Sequence, residues 1–141
     1  MKTIIILLLT FNSFFSMSQN SEEKAIVKLI TGFELATAKQ NVSLLEPLLN
    51  KHFRVTMNQL FGSTEVTVMD RSTYLQKVRE KIFGGEKREI SIITTIVSGN
   101  TAVAVVKFVG QKMSFQSILS FVKNKNGLWE LVEDIPTIVA S

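Results

Sequence analysis

Cysteine is absent from this 141-residue chain, which excludes disulfide cross-links, thiol catalysis and thiolate metal sites together. Any stability must therefore come from packing. Histidine occurs once, at His52, and no group of carboxylates shows ligand spacing, so no resident metal is expected. A glycine-rich phosphate loop and a nucleophile elbow are both missing, and nothing else points to a cofactor. The basic residues are not gathered into a stripe. Lys and Arg number 16 against 12 Asp and Glu, and the densest run, from Lys77 to Arg88, is broken by Glu80 and Glu86. No nucleic-acid partner is therefore expected, and the run reads as the solvated face of a helix and its exit. Internal repeats and low-complexity linkers are lacking as well, and the length suits one domain with one core.

What is present begins with Lys2, followed by an apolar stretch from Ile4 to Phe15 and then Ser16-Met17-Ser18. This is the charged, apolar and small-x-small order of a secretory signal. The stretch is short of the roughly 20 apolar residues that a membrane-spanning helix needs. No cysteine follows it to carry a lipid anchor. The expectation is a cleavable signal over residues 1–18, one domain over 19–141, a secreted or periplasmic location, and no membrane contact after cleavage.

Past the signal, Ile26, Leu29, Ile30, Phe33 and Ala36 recur at helical spacing, and Ser21 followed by Glu22 and Glu23 suits the start of that helix. A second, shorter stripe, Leu44, Leu45, Leu48 and Leu49, contains Pro47, which lacks an amide hydrogen and must lie near a helix start or a bend. From His52 the period becomes two: His52, Arg54, Thr56 and Asn58 alternate with Phe53, Val55 and Met57, as on a strand with one apolar face. A turn at Phe61 to Thr64 and a short return strand, Glu65 to Met69, come next. Asp70 is placed to cap a third helix that carries Tyr74, Val78 and Ile82 on one side and ends at Gly84-Gly85. Four strands complete the chain: Glu89 to Ser98, Thr101 to Val109, Lys112 to Lys123, and Leu128 to Val139. The turns Gly99-Asn100 and Asn126-Gly127 separate the outer pairs, giving an antiparallel meander.

The opening stripe Ile26/Ile30/Phe33, the segment Asn41 to Phe53 and the ending Asn126-Gly127-Leu128-Trp129-Glu130-Leu131-Val132 carry a resemblance to the nuclear transport factor 2-like superfamily. In layout the chain is similar to its exported bacterial members, known as SnoaL-like and lumazine-binding-like proteins. The resemblance implies an α+β fold, with three N-terminal helices packed on a strongly curved, mainly antiparallel sheet that forms a cone. It also implies a conical cavity, which in different relatives is an active site, a ligand pocket or filled core. In steroid-isomerase relatives the general base is an aspartate on the strand after the short helix. Asn58 stands at that position here, and asparagine accepts no proton at neutral pH.

Strand alternation that directs Asn58 inward takes His52, Arg54 and Thr56 with it. His52 suits proton transfer by its ordinary pKa, and Arg54 suits a carboxylate or phosphate. The same alternation equally describes the wet side of a half-buried strand. Tyr74, Trp129 and Phe33 are placed either to line a cavity or to fill a core. On the last strand Trp129, Leu131, Glu133 and Ile135 share a face, which makes Glu133 the acid to expect in an apolar setting. Three readings follow. The first is a noncatalytic module binding a small, largely apolar ligand through Phe33, His52, Arg54, Asn58, Tyr74 and Trp129. The second is an isomerase, dehydratase or cyclase using His52 or Glu133 with Tyr74. The third is a dimerisation or interaction module, a homodimer through the sheet face, suggested by the valine-rich strand Thr101 to Val109.

Overall fold

A computed structural model describes the backbone of residues 5–139 and the side chains of residues 19–139. The expected signal, Met1 to Ser18, falls outside the fully described residues. Helix α1 spans Ile5–Ala38 and runs straight through Ser21, which is therefore interior rather than a cap. Its buried stripe is the expected one, Ile26, Leu29, Ile30, Phe33 and Ala36. The helix stops because Gln40 turns into the left-handed region, at φ 50°, while the Asn41 amide returns to the Ala36 carbonyl. Asn41 then caps α2 (Val42–Leu45) by accepting from the Leu44 amide, and Pro47 sits in the single 3-10 turn Glu46–Leu48. Among the described residues no helix is long and apolar enough to cross a membrane.

Strand β1 (Leu49–Asn58) starts three residues before His52, and β2 (Val66–Asp70) pairs with it antiparallel. Asp70 caps α3 (Arg71–Arg79) through the Thr73 amide, as the sequence suggests. That helix ends at Arg79, well before Gly84, so Ile82 leaves the buried side and becomes exposed. The remaining strands are β3 (Glu89–Ser98), β4 (Thr101–Val109), β5 (Ser114–Lys123) and β6 (Trp129–Val139).

All six strands form one open, curved sheet in the order β2-β1-β6-β5-β4-β3. Every pairing is antiparallel except β1 with β6, which is parallel and makes the sheet mixed. Irregularities at Ile93 in the edge strand β3 and at Val132 in the inner strand β6 add bend to the sheet. The concave face carries the core: Phe53 and Val55 from β1, Ala102, Ala104 and Val106 from β4, Leu119 and Phe121 from β5, and Leu131 from β6, all packed under α1 and α3.

One polar tether fixes α1 to the far end of β6. Glu22 accepts from the Trp129 indole N–H at 2.7 Å and from Lys123, whose ammonium also lies over the indole ring. Trp129→Phe keeps the ring buried and removes only the donor. The expected cost is about 1 kcal/mol, read as a small drop in the thermal unfolding midpoint by circular dichroism. No change would mean that Lys123 alone holds Glu22.

Candidate functional site

Two strands and their parity decide which side chains reach the interior. On β1 the apolar set Phe53, Val55 and Met57 faces the helices, and the polar set faces out. The structure therefore places His52, Arg54 and Asn58 on the exposed side of the sheet, away from any interior space. Arg54 is engaged there. Its Nε and Nη2 donate to the two carboxylate oxygens of Glu133, at 2.9 and 3.3 Å, and Thr56 donates to the same carboxylate.

Glu133 is on that outer face because the alternation of β6 breaks at Val132. Leu131 pairs with Phe121 and Glu133 with Ser120, so Val132 is the extra residue of a bulge, and every later side chain changes sides. Strict alternation from Trp129 puts Glu133 inside; the bulge puts Asp134 inside instead, next to Val55 and across from Leu119. Glu133 is held below the usual carboxylate range by its hydrogen bonds from Arg54, so it is ionised and occupied, and unsuited to collect a proton at neutral pH.

Beneath the bend of the sheet lies a cavity of about 500 Å³. Its walls are Val55 and Met57 from β1, Phe115 from β5, Asp134 and Pro136 from β6, Thr37 from the end of α1, and Tyr74 from α3. The segment from Ile82 to Glu86 closes one side, with Phe61 and Ile82 forming an apolar rim that is about three-fifths exposed. Arg88, Lys112 and Met113 complete the mouth.

Tyr74 is the expected candidate that the structure does bring to the cavity. Its ring stands edge-on to Phe53 at 5.3 Å and stacks near Phe33 at 6.3 Å. Phe33 thus supports Tyr74 from behind and lines no part of the cavity wall. Burial pushes the Tyr74 phenol well above its usual range, with the Thr37 hydroxyl pulling weakly the other way. Tyr74 is therefore a neutral hydrogen-bond donor and not a base. Trp129 sits at the opposite end of β6 in the Glu22 tether, apart from the cavity.

Asp134 is the group that the sequence pattern misassigns. Burial pushes its carboxyl up to about 7, and the Ser117 hydroxyl offsets this only in part. Its Oδ1 is sealed from solvent and has no protein hydrogen-bond partner. A buried carboxyl oxygen that lacks a partner costs free energy, and the cavity offers two ways to reduce that cost: to hold a proton, or to meet a polar group on something bound. The pair Glu133-Asp134 carried a signal, since two consecutive acids on a strand with one buried face must send one of them inward. Which one goes in depends on the bulge.

Around the mouth, Glu86 accepts from the Lys112 amide at 2.7 Å and from Arg88 Nη2 at 3.2 Å, and the Arg88 Nε donates to the Met113 carbonyl. The Arg88 backbone N–H donates to buried Glu34, whose carboxyl is raised by that burial. Among the described residues no group of three or more metal-ligating side chains is gathered.

No family model and no curated protein matches this sequence. Solved structures do match. An NTF2-like protein of unknown function from Silicibacter pomeroyi superposes with a TM-score of 0.74 at 16% identity, covering 86% of this chain and 98% of that one. One from Shewanella baltica gives 0.73 at 15%, covering 86% and 96%. A third, from Methylobacillus flagellatus, gives 0.70 at 13%, covering 85% and 94%.

This chain has the NTF2-like fold.

Identities this low establish the fold alone, and an NTF2-like cone hosts whatever chemistry its interior side chains supply. In this NTF2-like chain the acid on the inner face of the sheet comes from β6. Asn58, which the sequence resemblance set against the steroid-isomerase base, lies at the exposed end of β1.

Proposed function

We infer that this NTF2-like domain binds a small, largely apolar molecule in the cavity between β1, β6 and α3, with Asp134 and Tyr74 holding its polar group. The single observation that supports this most is Asp134, a carboxyl with an unpartnered buried oxygen in a cavity whose apolar wall includes Val55, Met57, Phe115 and Pro136. The Met1 to Ser18 pattern extends the proposal to a place of action outside the cytoplasm, in the periplasm or the medium.

The test is titration with N-phenyl-1-naphthylamine, a neutral apolar fluorophore small enough for a cavity of about 500 Å³. Saturable binding of one probe per chain is expected. Met57→Trp, at a half-buried wall position, should fill the space and weaken binding about tenfold, the order of effect that losing one well-buried apolar contact region produces. A wild-type chain that gives no saturable signal would contradict the proposal.

A second reading, proton-transfer catalysis, is favoured by one specific observation. A carboxyl raised to about 7 is poised to give and take a proton near neutral pH, which neither exposed His52 nor ion-paired Glu133 is placed to do inside the cavity. In that reading Asp134 replaces those two as acid or base, and Tyr74 donates to a developing oxyanion. For assembly, the outer sheet face shows Ile96, Val103 and Ile118 exposed in adjacent strands, and a second copy of the chain is proposed to cover them. Light scattering after size exclusion checks this, a strict monomer at high concentration opposing it.

A further inference from the structure

The cavity has a cation at its mouth that its surroundings do not saturate. Arg88 uses Nε on the Met113 carbonyl at 3.1 Å and one Nη2 hydrogen on Glu86 at 3.2 Å, which leaves three of the five N–H groups of a guanidinium without a protein acceptor. Its plane lies over the Phe115 ring at 5.3 Å, and its side chain is 13% exposed, so it is fixed in direction and largely dry. Glu86 pairs with Arg88 through one carboxylate oxygen and accepts the Lys112 amide at 2.7 Å through the other, so it meets a single guanidinium N–H. Lys112 adds a second positive charge at the rim.

The charged side chains of the wall are therefore Arg88 and Lys112 against Glu86, with Asp134 further in. The sequence suggested Arg54 for an anion; that guanidinium is bonded to Glu133 on the other side of the sheet. Arg88 is instead on the cavity wall. A fixed, half-used guanidinium beside an apolar wall is complementary to a flat anion at the end of an apolar body, because both its unpaired N–H groups and its charge gain from a carboxylate-like acceptor in a site that excludes water.

Resting on the cavity reading above, we propose that the natural ligand is an amphipathic organic anion, its carboxylate or sulfonate set against Arg88 and its apolar body running inward along Val55 and Met57 toward Asp134. Lys112 supplies long-range attraction at the mouth, and Phe61 and Ile82 cover the apolar segment nearest the opening.

Two matched fluorophores separate this claim from the cavity reading: neutral N-phenyl-1-naphthylamine and 1-anilinonaphthalene-8-sulfonate, which has the same aromatic body with a sulfonate added. The wild-type chain should prefer the sulfonate by about tenfold, the order of one charge-assisted contact, and Arg88→Gln should remove that preference while the neutral probe still binds. Lys112→Gln, at an exposed position, should reduce the preference partially. Added sodium chloride should weaken the sulfonate and leave the neutral probe unchanged. These last two measurements keep the claim open to refutation should Arg88→Gln fail to fold. Equal affinity of the two probes in the wild type, or a preference insensitive to both substitutions and to salt, would overturn the anionic ligand and leave the cavity standing. Absence of binding by the neutral probe would instead overturn the cavity, and this inference with it.

Discussion

Asp134→Asn should leave stability near pH 4 almost unchanged and raise it above pH 7, so that the wild-type and variant curves cross from coincidence to a gap on the order of 2–4 kcal/mol. The sign follows from the direction of the shift. The Asp134 carboxyl moves from 3.8 to about 7 on burial, so between those values the folded chain holds a proton that the unfolded chain has released. Stability therefore falls as pH rises through that window, and is level on either side of it. Asparagine has the shape of the protonated acid and no proton to lose. The groups facing Asp134 are Ser117 from β5 and Tyr74 from α3, and Glu34 and Arg88 act in turn on Tyr74. Glu34 is shifted in the same direction by its own burial, whereas Glu22, Asp70, Glu86 and Glu133 are shifted downward and lose their contribution only as pH falls through the acid range. Subtracting the variant's urea-unfolding curve from the wild type's at each pH isolates Asp134 from all of these. Curves that stay parallel from pH 4 to pH 7 would mean that the carboxyl ionises without hindrance.

The second large effect is expected at the cavity's edge. Gly84 has φ +79°, and a Cβ built there would stand 2.1 Å from the Thr37 carbonyl oxygen, a backbone atom at the end of α1 that cannot swing aside. The same carbonyl accepts from the Gly85 amide at 3.2 Å, and Gln40 donates to the Phe83 carbonyl at 3.0 Å, so the whole 82–86 segment is laid against α1. Gly84→Ala must break this contact as well as adopt an unfavourable backbone. The expected loss is about 3 kcal/mol, or about 10 °C in the unfolding midpoint, together with weakened probe binding because the segment forms one wall. Gly99→Ala is the control. It shares a positive φ, +58°, but a Cβ there meets nothing, so only the backbone penalty of about 1 kcal/mol applies. Equal effects at the two positions would show that the approach to Thr37 contributes nothing.

Local signals carried most of the architecture into the sequence. The strands Glu89–Ser98 and Thr101–Val109 were readable to the residue because Gly99-Asn100 breaks two runs of strand-forming side chains. Asp70 was readable as a cap because the residue type and the following helical stripe agree. The parallel pairing of β1 with β6 had no such mark. It joins residues 79 apart, Arg54 with Glu133, and depends on the whole sheet assembling in order. Nor did any local feature of Ser21 distinguish a helix start from a helix interior.

At the site the difficulty was parity. Alternation on β1 was legible and correctly grouped His52, Arg54 and Asn58, but which group faced inward followed from the ordinary preference for apolar burial, and the polar set went out. On β6 a single extra residue at Val132 exchanged the fates of Glu133 and Asp134, and no side-chain type in Leu131-Val132-Glu133-Asp134 announces a bulge. Arg88 escaped notice because it sat in a run that resembled a solvated helix exit. Its role comes from the turn at Gly110 to Met113 folding back onto Glu86, a contact between segments about 25 residues apart.

The Asp134 side-chain carboxyl carbon, followed by NMR across the acid and neutral range, reports directly on whether an acid is held in an apolar interior. The account predicts a titration midpoint displaced to about 7, moving further upward when an anionic probe occupies the cavity. A midpoint at the ordinary 3.8 would contradict it.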